Sequence, residues 1–440
     1  MLSTSLLKSS PKLDMHDTHI KTEHFTLKNG MEVIIIPNDR VPAVLHMLWY
    51  KVGGIDEKLG KTGLAHYLEH LMFHGTKKFP KDEIDKRVSS FGGSHNAFTS
   101  YDFTAYYQNV PKEYLGAVME MEADRMRNLV LEKKQTKIER NIVLEERLMR
   151  RDNSPNSVLS EKINEAMFGK EHPYGRPLIG YEDDIENLTH EDALAFYNKY
   201  YFPNNTVLVL AGDIDAETAK PLIDKYYAPL EKGPELEFTL AAPVTKVKNP
   251  YVEHSDKTVS STTIKYSYLA PDLLAPEKDL SYALNIISFI AAGNKNSILY
   301  KKLVTELDLA LGVSASYSDM SRGQADFRFS VTLKDPKHET QVTRIIEETI
   351  QRFKMADISD EAIANAKNLF LIETLYSKES YKSLAYIIGM NYTTGISLAE
   401  IINWDERISE VTKGDIAQAA EFVFQDDKLV VGKLLPAKGK

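Results

Sequence analysis

Gly63-Leu-Ala-His66-Tyr-Leu-Glu69-His70-Leu-Met-Phe-His74-Gly75-Thr76 sets two histidines and a carboxylate on neighbouring turns of a predicted helix. His66, Glu69 and His70 stand at i, i+3 and i+4 and project from one face, while Leu64, Leu68, Leu71 and Met72 supply apolar surface. Such a helix is anchored in a core and shows polar groups to a cavity. The order H-x-x-E-H inverts the more familiar H-E-x-x-H without changing its chemistry: two neutral imidazoles bind Zn²⁺, and the carboxylate between them polarises a water. Alone the pattern is weak, since five residues with two wildcards recur by chance in surface helices.

A catalytic zinc takes three protein ligands and keeps one open position, so the rest of the chain must supply a carboxylate. Glu139-Arg-Asn-Ile-Val-Leu-Glu145-Glu146 lies in a charged segment from about Glu132 to Arg151, rich in helix formers and free of Pro and Gly. Glu139 and Glu146 are nearly two turns apart and share a face, whereas Glu145 points elsewhere. Glu146 is therefore the expected third ligand, and Glu139 the group expected to orient a ligating histidine.

The two segments together resemble the inverzincin metallopeptidases of the pitrilysin, insulysin and mitochondrial processing peptidase family, in which the distal ligand closes a stretch like Glu139 to Glu146 at roughly this separation. The resemblance implies a two-domain, bacterial-type, zinc-bearing chain with one Zn²⁺. The fold it implies is α+β: two homologous α/β-sandwich halves, each a mixed, mainly antiparallel sheet packed with helices, together forming half of a clamshell chamber.

Composition agrees with a globular chain. Its 440 residues suffice for two or more domains, with 43% hydrophobic and 27% charged content and no run long enough to span a membrane. A net charge of −9 argues against nucleic acid as a partner. The absence of cysteine excludes disulfides and thiolate chemistry. Met1 to about Lys21 has no continuous apolar run and no arginine, so neither a secretory signal nor a transit peptide is read there. A cytoplasmic location is favoured, with a periplasmic one open if a signal has been removed.

Phe25 to Pro37 reads as a hairpin turning at Asn29-Gly30, followed by a strand from Ala43 to Val52. Phe91 to Tyr107 alternates aromatic and polar residues as a half-exposed strand does. Within it, Asn96-Ala97-Phe98-Thr99 resembles the family's edge strand beside the zinc, on which a substrate peptide is held extended by main-chain hydrogen bonds. His74 and His95 are assigned no role. Thr189 and Asp192 form a capping pair ahead of a helix and the buried strand beginning at Val207. Thr412, Asp415 and the strand from Lys428 repeat this register, giving two related halves. The expected division is a zinc-binding domain over 20–232, a Pro-containing linker over 233–250 and a metal-free homologous domain over 251–440.

The helix from Leu280 to Ala292, matching the zinc helix, holds no histidine or glutamate. Self-sufficient members of the family carry an Arg and, four residues on, a Tyr in a stretch similar to Ser297 to Val313; here Leu307 and Leu311 stand at those places. Leucine donates no hydrogen bond. The expectation is a zinc endopeptidase acting on peptides in an enclosed chamber as the catalytic subunit of a heterodimer, with a metal-free partner supplying the Arg and Tyr. Alternatives are Tyr317 as substitute donor, a self-sufficient homodimer, or a structural subunit like the metal-free core proteins of respiratory complexes.

Overall fold

The computed structural model describes residues 21–437, so most of the N-terminal stretch read above lies outside the described residues. The first sheet is built from β1 (Glu23–Thr26), β2 (Glu32–Pro37), β3 (Ala43–Tyr50), β4 (Ser94–Thr99), β5 (Thr104–Pro111) and β6 (Thr206–Gly212). Its spatial order is β1-β2-β6-β3-β5-β4. Asn29-Gly30 turns the β1–β2 hairpin, with Gly30 at φ +88°. The apolar run Val33–Ile36 is buried on both faces beside β6, the one parallel pairing of this sheet. The stretch read as a single strand from Phe91 to Tyr107 is a hairpin, β4 and β5, turning at Ser100–Phe103. β4 lies at the sheet edge.

The second sheet comprises β7 (Tyr251–Asp256), β8 (Thr263–Ala270), β9 (Ala310–Tyr317), β10 (Ala325–Leu333) and β11 (Leu429–Pro436), ordered β7-β11-β8-β10-β9. Apart from β1 the two orders coincide, down to one parallel pair each, β2 with β6 and β7 with β11. The repeat extends to side chains. Thr189 and Asp192 form a capping box at the helix His190–Tyr200, and Thr412 and Asp415 form another at Lys413–Val423. Each helix leads into an interior strand of its half, β6 and β11.

No helix or strand lies between Tyr226 and Tyr251. The halves are nevertheless interlocked, which the boundary in the sequence does not reveal. Helix Pro155–Phe168 packs on β7 and β11, and its counterpart Tyr381–Thr393 packs on β3 and β6. Each crossing is opened by a missing side chain. A Cβ on Gly389 would lie 2.2 Å from the Trp49 indole, and one on Gly432 would lie 2.5 Å from Ile163.

Candidate metal centre

The H-x-x-E-H motif forms the helix Leu64–Met72, with Leu68, Leu71 and Met72 fully buried. Its start is fixed from both sides. Gly63 is left-handed at φ +83°, and a Cβ there would come within 2.3 Å of the Ile179 carbonyl. The buried carboxylate of Glu57 accepts from the Gly63 and Ala65 amides at 2.9 and 2.7 Å, taking the place of an N-cap side chain. Tyr67 donates to the Thr136 carbonyl at 2.5 Å, joining this helix to a second one, Lys133–Arg147.

That second helix carries Glu139 and Glu146 inward, with fully buried Val143 between them, while Glu145 is exposed. Its end departs from the continuous helix expected to Arg151. From Leu148 to Asp152 the chain widens into a π turn, and Arg150 pairs with Glu146 Oε1 at 2.8 Å.

Glu146 Oε2 lies 3.2 Å from His70 Nε2 and 3.7 Å from His66 Nε2. The three donor atoms fall within 4.8 Å of one another. Ligands at 2.0–2.1 Å from a tetrahedral zinc sit roughly 3.3 Å apart, so two imidazole nitrogens and one carboxylate oxygen fit such an ion. The oxygens of Glu146 divide the work, Oε2 toward the histidines and Oε1 toward Arg150.

Glu139 holds two histidines at once: Oε1 faces His70 Nδ1 and Oε2 faces His74 Nε2, both at 3.0 Å. His74, left unassigned in the sequence, is thus part of this network. Its spacing from His70 and that of Arg150 from Glu146 are both i, i+4, a signal that could have found them.

Burial pulls the His66 imidazole down to about 4, with the neighbouring His70 adding to it, which leaves His66 neutral with a lone pair to offer. Burial also pulls His70 down, but its hydrogen bonds to Glu139 and Glu146 outweigh this and hold it at about 9. A proton on His70 therefore competes with a cation for the same place. Burial pushes Glu139 up, yet the bonds from His70 and His74 reverse this and hold it at about 2. Glu146 is lowered, first by its bond from His70. Glu69 moves the other way, raised by burial with partial offset from the Thr99 hydroxyl.

These groups line a cavity of about 630 Å³, one wall of which is Asn96–Thr99 of the edge strand β4. Thr99 does more than expected of a strand residue, since its hydroxyl donates to Glu69 Oε2 at 2.5 Å. Glu69, 9% exposed, faces the same space as His66, His70 and Glu146. A carboxylate of raised basicity thus stands beside a cation-sized gap and an open edge strand.

Leu307 and Leu311 are 37% and 58% exposed and do not line this cavity. Tyr317 does not replace them. Its hydroxyl is engaged inside the second half, at 2.6 Å from the Pro271 carbonyl and 2.8 Å from Ser281 Oγ. Among the described residues no helix is long and apolar enough to cross a membrane.

Two consecutive stretches match models of one family: residues 33–182 match Insulinase (Peptidase family M16), and residues 187–370 match the Peptidase M16 inactive domain. A zinc protease, PqqE, of Helicobacter pylori is 28% identical, covering 94% of this chain and 93% of that protein. A probable mitochondrial-processing peptidase subunit beta of Schizosaccharomyces pombe is 24% identical, covering 95% and 92%. The crystal structure of a protease from Helicobacter pylori superposes with a TM-score of 0.86 at 27% identity, covering 94% of this chain and 99% of that one. With its repeated sheets and the cluster of His66, His70 and Glu146 in one half, the chain belongs to the M16 peptidase family.

Proposed function

We propose that this chain is a zinc endopeptidase whose zinc-bearing half spans residues 20–232, joined through 233–250 to a metal-free half over 251–440. The observation that carries the reading is the convergence of His66 Nε2, His70 Nε2 and Glu146 Oε2 from two helices, with Glu69 on the same cavity wall. His66, His70 and Glu146 would hold one Zn²⁺, leaving one position open. The ion would supply Lewis acidity toward the scissile carbonyl and acidify a water.

Glu69 takes the proton of the attacking water and returns it to the leaving amine nitrogen, a role suited to a carboxylate whose basicity burial has raised. Thr99 fixes the Glu69 carboxylate by its hydroxyl. Glu139 holds the His70 ring so that Nε2 points at the metal position. The peptide lies along Asn96–Thr99, adding a strand to the open edge of β4, which reads main chain rather than sequence. A second two-half subunit closes the chamber and brings the Arg and Tyr for which Leu307 and Leu311 stand here.

Elemental analysis of purified variants tests the ligand set. Glu146→Ala is expected to lose zinc and Glu145→Ala to keep it. Stoichiometric zinc in Glu146→Ala overturns the assignment of the third ligand.

A further inference from the structure

We infer that Arg322, on the β9–β10 connection of the metal-free half, is a positioning residue that sets the edge strand and the motif helix of the other half; the inference rests on the peptidase reading above. Its side chain is 1% exposed and is buried against the first half. Nη2 donates to the Asp102 carbonyl, and Nη1 faces Asp56 Oδ2 at 3.4 Å. The Phe238 ring, from the connecting segment, lies 4.6 Å from the guanidinium carbon. The Arg322 amide donates to the Tyr174 hydroxyl at 2.7 Å, and that hydroxyl donates to Asp102 Oδ1 at 2.7 Å. Behind it, Ser321 Oγ and the Gly323 amide both donate to Asp272 Oδ2, so its own half presets where the cation emerges.

Both targets are one step from the cavity. Asp102 lies in the β4–β5 turn, three residues beyond Thr99, whose hydroxyl holds Glu69. Asp56 precedes Glu57, whose carboxylate caps the motif helix. The two turns also bind each other, Gly54 donating to the Ser100 carbonyl at 3.1 Å and Ile55 to that of Tyr101 at 2.8 Å. One guanidinium therefore ties the end of the substrate strand, the start of the ligand helix and the second half together.

Stability alone does not account for it. A buried ion pair is often no better than well-packed apolar residues, and here the Arg322 Nε also lacks a protein partner. What a guanidinium adds is a planar fork that fixes two groups at a set angle, which neither lysine nor an apolar residue reproduces.

The test uses the full chain with its metal, as wild type, Arg322→Lys and Arg322→Met, with hydrolysis read after adding a metal-free two-half homologue that carries the Arg and Tyr. Both variants are expected to fold and bind zinc, with amide hydrogen exchange faster by about tenfold across residues 94–103 and unchanged in β2 and β6. KM for an unstructured peptide is expected to rise about tenfold, on the scale by which displaced positioning groups act. Exchange over 94–103 and KM both within about twofold of wild type overturn the inference, as does exchange that rises uniformly over the chain, the mark of a merely structural role. If Arg322→Met does not fold, Arg322→Lys carries both readouts. Should the wild type hydrolyse no peptide even with that partner, the peptidase reading fails, while exchange still decides the role of Arg322.

Discussion

Glu69, Glu139 and His46 are three buried ionisable residues whose surroundings give them different work. Glu69 is raised by burial and faces the cavity, so Glu69→Gln is expected to keep zinc and to lose at least about 10²-fold in kcat, as removal of a general base does. Near-normal turnover in a zinc-loaded Glu69→Gln contradicts that role. Glu139 spans His70 and His74, and Glu139→Gln is expected to weaken zinc binding by about 10- to 100-fold, read by competition with a chelator.

His46 lies in the sheet, bonded to Gln108 at 3.0 Å and to the Tyr227 hydroxyl at 2.7 Å, and burial pulls it from 6.5 down to about 4. A base depressed in the folded state stabilises the fold above its unfolded value and loses that contribution as pH falls from 6.5 toward 4. Unfolding in denaturant is expected to show a loss of up to about 3 kcal/mol over this window, flattened in His46→Gln.

At this scale the sequence was informative where spacing is local. His66, Glu69 and His70 are placed by one turn of helix, and Glu139 with Glu146 by two. His74 and Arg150 also stand at local i, i+4 spacings, but it is the packing of the two helices that sets Glu139 between His70 and His74. Arg322 escaped because nothing near it in sequence shows that its partners, Asp56 and Asp102, lie in the other half.

Among the secondary-structure elements, the helices Pro155–Phe168 and Tyr381–Thr393 decide how the halves are joined, each lying on the other half's sheet. Gly389 and Gly432 make room for them, so Gly389→Ala, which drives a methyl group into Trp49, is expected to cost about 1–3 kcal/mol in denaturant unfolding. A neutral result would mean that this crossing is looser than its 2.2 Å approach requires. The repeat itself was legible, since capping boxes and apolar strands are local patterns. The exchange of helices was not, because each helix precedes an interior strand of its own half and nothing in its periodicity says which sheet it covers.

On the scale of the molecule, two related sheets have diverged in chemistry while keeping strand order. The first carries the His66, His70 and Glu146 cluster and an open edge strand; the second keeps the frame and contributes Arg322. Leu307 and Leu311 offer no hydrogen bond to a substrate, and Tyr317 is committed elsewhere. In the proposed reading a second subunit completes the donors. The measurement that tests this most directly is the rate at which an unstructured peptide is hydrolysed by the chain alone and after adding a metal-free two-half homologue carrying the Arg and Tyr. The account predicts hydrolysis only with that partner, abolished by a chelator and restored by zinc. Full turnover by the chain alone contradicts the shared site, and no chelator-sensitive hydrolysis even with the partner contradicts the peptidase.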